Sequence, residues 1–361
     1  CQLLEDWRIE HSFDATLSSS SALAQFQRLP VLRSTNAFVD LIDVDSQKWL
    51  DYSAASRGPK SWLYRLEGAR MRALEMEIAT WARRLFVVSE AEADIFRSFC
   101  PNGPITAISN GVDVDYFSKA HGEPESVSPR TFRPTQVRGL TPSGSPESLE
   151  NSSCVFVGAL DYKPNIDGAV WFCRNVWPQI REQKPNAVIK LVGREPTADV
   201  RVLGEIPGVE VVGTVPDVRP YLVEAAVAVV PLHIARGVQN KVLEAMAMGK
   251  AIVASPEPIV GLAAEPGVHL LQASSVDEWV SHITRLLDDP ALRDEMGLAA
   301  NAYVTANHRW EQCLAELPRL LFESFNRKPQ ACASSGATTS GVLHVAHACG
   351  LRLNDAEEVT P

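Results

Sequence analysis

The sequence predicts an α/β protein assembled from two parallel-sheet domains. Three observations carry that expectation. At 361 residues the chain is longer than a single core usually serves. Short apolar runs alternate with helical patterns in two separate series, over 13–117 and 154–272, as they do where parallel strands are joined by crossover helices. The runs of the second series are continuously apolar, which suits strands covered on both faces.

In order along the chain, the first series reads Val39-Asp-Leu-Ile-Asp-Val44, a long charged helix over 63–84, Leu85-Phe-Val-Val-Ser89 and Ile105-Thr-Ala-Ile108. The mixed charges over 65–82 recur at helical spacing and mark a solvated face. Ser89, followed by Glu90 and Glu92, has the form of an N-cap with acids in the first turn. From 121 to 153 the composition turns to Pro, Ser, Gly and Thr, and Pro124, Pro129, Pro134, Pro142 and Pro146 break any period, so a linker or disordered insertion is expected. The second series runs Cys154-Val-Phe-Val-Gly158, Val188-Ile-Lys-Leu-Val-Gly193, Val209-Glu-Val-Val-Gly213, Ala226-Val-Ala-Val-Val-Pro231, Ala251-Ile-Val-Ala-Ser255 and His269-Leu-Leu-Gln272. Several of these runs end at Gly or Ser, which puts tight turns at the carboxyl edge where open parallel sheets bind ligands. Helices are expected after Val276 to about 325, and from 327 onward a Ser/Thr/Ala/Gly tail without an apolar period is expected to be disordered.

Composition narrows the function classes. Apolar residues make up 45% and charged residues 22%, the mean hydropathy is -0.06, and no apolar run approaches twenty residues, so a soluble protein without a membrane span is expected. A net charge of -10 argues against a general nucleic-acid binder. The seven cysteines are scattered without a CxxC pair, which favours a reduced, cytoplasmic setting and gives no metal site. The chain opens at Cys1 inside a helix-like stretch with no signal-peptide pattern, so residues are expected to be missing upstream.

The stretch Arg236-Gly-Val-Gln-Asn-Lys-Val-Leu-Glu-Ala-Met-Ala-Met-Gly-Lys-Ala-Ile-Val-Ala-Ser255 reads as a basic loop, a short helix and a buried strand in succession. Lys241 falls at the helix opening, where free N–H groups and the dipole favour a phosphate, and Glu244 falls one turn on, able to accept from sugar hydroxyls. Gly237 permits close backbone approach. The plainer alternative is a charged loop whose Glu244 pairs with Lys241 at i,i+3. In Gly158-Ala-Leu-Asp-Tyr-Lys-Pro-Asn165, Gly158 admits a ligand to the backbone, Lys163 supplies a charge and Asn165 caps the next helix, against the reading of an ordinary exposed loop. Gly193 and Arg194 end another strand. Backbone groups near Thr214 and Val215 suit the edge of a nucleobase. The histidines His11, His233 and His308 stand alone and read as surface or satisfied core residues. No Ser-His-Asp set, HExxH or Walker-type loop is present.

Ile108-Ser-Asn-Gly-Val-Asp-Val-Asp-Tyr-Phe117, Phe156-Val-Gly-Ala-Leu160 and Val242-Leu-Glu-Ala-Met-Ala-Met-Gly249 resemble, in the same order, three motifs of the retaining GT-B glycosyltransferases of family four. Asp43-Val-Asp-Ser-Gln-Lys-Trp49 together with Arg236-Gly-Val-Gln-Asn-Lys241 is similar to the sugar transferases of PEP-CTERM/exosortase exopolysaccharide loci. The resemblance implies a GT-B fold, two Rossmann-like domains facing each other across a cleft, with the N-terminal domain truncated ahead of its first strand and Gly-rich loop. It implies an acceptor-side domain over 1–120, the linker over 121–153, a nucleotide-sugar domain over 154–305, a helix over 306–326 returning to the first domain, and the tail over 327–361.

By the same resemblance Glu244 is the second acid of the family's Glu-x7-Glu motif, and Arg236 stands where the first acid is usual. Ala159 replaces the family's Arg, so Arg236, Lys163 and Lys241 are expected to supply the missing charge. The implied catalytic set is Arg236, Lys241 and Glu244, and the implied donor-binding set is Gly158, Lys163, Asn165, Gly193, Arg194, Thr214, Val215, Gly237 and Val238, with no metal and no cofactor. The implied reaction moves a sugar with retention from a nucleoside diphosphate sugar to a glycan or lipid-linked acceptor, in exopolysaccharide assembly. Peripheral contact with the inner face of the cytoplasmic membrane is left open. A degenerate nucleotide-sugar-binding or scaffold protein and a GT-B sugar-nucleotide epimerase are the alternatives.

Overall fold

The computed structural model describes residues 13–32, 35–118 and 152–326. Two wholly parallel sheets carry these residues. The first has the order β1-β2-β3-β4, with β1 (Ala15–Ser19), β2 (Asn36–Ile42), β3 (Arg84–Val87) and β4 (Ile105–Ala107). Phe38, Val39, Leu41, Leu85, Phe86 and Val87 are buried in its two inner strands. Between β2 and β3 the chain makes two mutually packed helices, α1 (Asp45–Ala55) and α2 (Pro59–Trp81). Pro59 suits the first turn of α2, where its missing N–H is no loss. The helix expected over 63–84 therefore begins earlier and stops at Trp81; Ala82 turns extended and Arg84 already belongs to β3. Ser89 caps α3 (Glu90–Phe99) as expected, its hydroxyl accepting the Glu92 N–H.

The second sheet has the order β10-β9-β8-β5-β6-β7, with β5 (Ser153–Val157), β6 (Val188–Val192), β7 (Val209–Gly213), β8 (Val227–Val230), β9 (Ala251–Ala254) and β10 (Leu271–Gln272). β5 pairs with β6 on one side and β8 on the other, so the strand order reverses at β5. Open parallel sheets bind ligands at the carboxyl ends of the strands flanking such a reversal. Helices on both faces complete a core containing the fully buried Trp177, Trp279, Phe156 and Phe172. Those that position the site or close the chain are α4 (Lys163–Trp171), α5 (Asn240–Ala247), α6 (Val276–Asp288), α7 (Pro290–Asn307) and α8 (Glu316–Asn326).

Packing crosses the linear order twice. Val112, Val114 and Phe117 join the core of the second sheet, while Leu320 of α8 packs with Phe38 and Phe86 of the first. His308, buried as a satisfied histidine should be, ties the crossing together: Nδ1 lies 3.2 Å from Asn110 O, Nε2 lies 3.2 Å from Tyr303 Oη, and its carbonyl accepts the Val112 N–H at 2.7 Å. Residues 121–151 of the Pro/Ser-rich segment and the 327–361 tail lie outside the described residues, and Ser153, expected in the linker, opens β5. Among the described residues no helix is long and apolar enough to cross a membrane, no metal-binding cluster forms, and Cys100, Cys154, Cys173 and Cys313 are free thiols.

Candidate active site

Gly158 directly follows β5, and the loop after β8 leads into α5, so the two segments stand on either side of the point where the strand order reverses. Lys241 is the second residue of α5. Its Nζ donates to Asn165 Oδ1 at 2.6 Å and lies 5.4 Å from the centroid of the Phe156 ring. A Cβ on Gly158 would stand 2.9 Å from Asn165 Nδ2 and 3.2 Å from Lys241 Nζ, so glycine there leaves room for the pair. Burial pushes the Lys241 ammonium down to about 8, partly opposed by Glu244. Burial likewise raises the Glu244 carboxyl, with Lys241 pulling the other way. Lys241 gives its hydrogen bond to Asn165 and closes no ion pair on Glu244. A half-buried cation at the open end of a helix, beside a carboxylate one turn on, suits an anion carrying hydroxyls.

Asn165 works differently from the expectation. Tyr162 holds the N-cap of α4, and Asn165, inside the first turn, spends its amide on Ala159 O at 2.8 Å and its oxygen on Lys241. Lys163 pairs with Asp167 on the same helix and is half exposed, the ordinary surface arrangement. Gly193 is required for a reason other than ligand approach: a Cβ there would stand 1.7 Å from Gly158 O, so glycine lets two strand ends pass. The Arg194 carbonyl accepts the Leu160 N–H at 2.9 Å, and its guanidinium is exposed with Nε 3.6 Å from Asp161 Oδ1. Thr214 Oγ1 accepts the Glu195 N–H at 3.3 Å. Val215 lines a surface cavity of about 420 Å³ with Pro216, Asp217, Pro220, Tyr221 and Glu224. Val238 is 6% exposed in the second core, which leaves its backbone alone to meet a ligand.

Arg236 and Gly237 meet partners from the first sheet's side. Arg236 Nε donates to Asp51 Oδ2 at 2.8 Å, and Nη1 lies 3.6 Å from Glu92 Oε1, so the guanidinium expected beside a diphosphate faces two carboxylates. Gly237 has φ +62, and a Cβ would stand 2.1 Å from Asp43 Oδ1 and 2.4 Å from Val88 Cγ2. The close approach read from the sequence is real, but its partner is protein. Asp51 and Glu92 escape sequence reasoning because each has a sufficient local account, Glu92 as a first-turn acid above all. The Asp43-Val-Asp pattern at a strand end was the available signal.

The glycosyl transferases group 1 family profile matches residues 151–289. No curated protein sequence matches the chain. Among solved structures, the sucrose-phosphate synthase of Thermosynechococcus elongatus is similar at TM-score 0.65 and 17% identity, covering 91% of this chain and 77% of its own. Anabaena HepE in complex with UDP is similar at TM-score 0.63 and 12% identity, covering 89% of this chain and 81% of its own. The α,α-trehalose 6-phosphate synthase of Burkholderia multivorans follows at TM-score 0.60 and 12% identity, covering 92% and 76%. Identities this low speak for the fold. The chain thus has the two-sheet GT-B fold, and its residues 151–289 form a glycosyl transferases group 1 domain.

Proposed function

We propose that the protein transfers a sugar, with retention at its anomeric carbon, from a nucleoside diphosphate sugar to a hydroxyl of a glycan or lipid-linked acceptor in exopolysaccharide assembly. The observation that carries this reading is Lys241, a half-buried ammonium at the N-terminus of α5, held by Asn165 at the edge where the strand order reverses. The donor's pyrophosphate lies against Lys241 and the first N–H groups of α5, Glu244 accepts from the ribose, and the nucleobase lies toward Thr214 and Val215. UDP in the HepE complex, a protein of the same fold, supports a nucleotide donor. As the bond from the anomeric carbon to the leaving oxygen lengthens, negative charge grows on the diphosphate, and a fixed ammonium and aligned N–H groups lower the cost of that charge. One such donor in a water-poor site contributes roughly 3 kcal/mol of barrier.

Calorimetric titration with UDP-, GDP- and ADP-glucose tests the reading. One of them binds, and Lys241→Ala weakens that binding about 10- to 100-fold, the loss of a hydrogen-bonded charge. No binding by the native protein, or unchanged binding by the variant, rejects it. The anomeric configuration of the product, read by proton NMR, decides between retention and inversion. A GT-B epimerase would interconvert the donor's sugar without any acceptor, and the same spectra separate that outcome.

A further inference from the structure

Glu92 is a buried carboxylate, 2% exposed, with no part in the donor pocket described above. Its helix does not account for it, since Ser89 already caps α3. Its partners come from two other segments. Val44 N–H donates to Oε2 at 2.8 Å; Gly237 N–H donates to Oε1 at 3.4 Å; Arg236 Nη1 lies 3.6 Å from the same oxygen. The carboxylate therefore joins the carboxyl edge of the first sheet to the loop that enters α5 from the second.

Two backbone irregularities serve the same junction. Ile42, at the end of β2, has φ +67, a conformation unfavourable for a β-branched residue that persists only where its surroundings impose it. The β2–β3 register shifts between Asp40 and Ile42, and beyond this turn Val44 N–H meets Glu92 while Asp43 meets Gly237. On the other side Gly237, at φ +62, leaves no room for a side chain between the loop and Asp43. Gln239 Nε2 donates to Arg236 O at 2.7 Å, which stiffens the few residues between this junction and the first turn of α5.

We propose that Glu92 is a positioning residue of the transfer reaction: it clasps the Arg236–Gly237 loop to the first sheet, with Arg236 as its counter-charge, and so fixes the N-terminus of α5 and Lys241 opposite the acceptor side. The inference rests on the glycosyl-transfer reading. The nucleotide's own partners, Lys241, Asn165 and Gly158, all belong to the second sheet, so losing the clasp leaves nucleotide binding intact and slows the step that needs both halves aligned.

The test measures nucleoside diphosphate release from UDP-, GDP- and ADP-glucose, binding of the corresponding diphosphate, and melting temperature. The proteins compared are native, Glu92→Gln, Arg236→Met, the double variant, and Ser275→Ala as a control that weakens the cap of α6 without touching the clasp. Glu92→Gln is expected to lower kcat at least tenfold, with diphosphate affinity within twofold of native. The double variant is expected to lose less than the sum of the two single losses, because the Glu92–Arg236 contact is common to both. Ser275→Ala is expected to lower the melting temperature and leave kcat unchanged. The proposal is overturned if Glu92→Gln behaves like Ser275→Ala, if it weakens diphosphate binding as much as turnover, or if the Glu92 and Arg236 effects simply add. Failure of the native protein to bind any of the diphosphates strikes the transfer reading instead.

Discussion

Lys241 carries its charge where solvation is poor, with Phe156 under the ammonium and Asn165 as its hydrogen-bond acceptor. An ammonium lowered to about 8 is half-protonated near that pH, cationic well below it and neutral well above it. Affinity for the donor diphosphate is therefore expected to fall as pH rises from about 7 to about 9, and the fall should vanish in Lys241→Ala; titrations at several pH values check both. The positions of Lys241 at the opening of α5 and of Glu244 one turn on were legible from sequence because helix spacing and the helix end are local properties. Arg236 was only half legible. Its charge was evident, but Asp51 and Glu92 stand more than a hundred residues away in sequence and no spacing links them.

At the level of elements, the strands of the second sheet were readable because burial on both faces makes each an apolar run. The helix α1 was not foreseen: its Asp, Ser, Gln and Lys residues make no apolar stripe, and it is held instead by packing on α2. Asn165 was misplaced by one turn, since Pro164 starts α4 earlier than a capping asparagine would. Two substitutions separate stability from site geometry. Ser275 and Glu278 form a reciprocal cap on α6, so Ser275→Ala should cost about 1 kcal/mol, a drop of about 2–4 °C in melting temperature, with nucleotide affinity unchanged. Gly193→Ala forces a Cβ against Gly158 O. It should lower both the melting temperature and nucleotide affinity, because Gly158 borders the Lys241–Asn165 pair. Scanning calorimetry with parallel titrations reads both variants.

For the molecule as a whole, a ligand that binds the folded state alone stabilises it by mass action. The preferred diphosphate at a hundred times its Kd should contribute about 2.7 kcal/mol and raise the melting transition of the second sheet by about 5–10 °C. Lys241→Ala should abolish most of that rise at the same concentration, which thermal scans with and without nucleotide decide. The two-sheet plan was legible from alternation of strands and helices. The interlacing of the halves was not, since it depends on Val112, Val114, Phe117 and Leu320 packing away from their neighbours in sequence.

That interlacing sets a rule for recombining this protein with others of its architecture. Val112 bridges to Arg309, and Arg309 in turn reaches Asp115 at 3.1 Å, so a swap of the 151–289 segment alone would graft a foreign surface onto a stitch woven from both ends of the host. Exchanges that carry 110–117 and 308–321 along with the transplanted lobe keep that seam whole, and they mark where a hybrid should be cut.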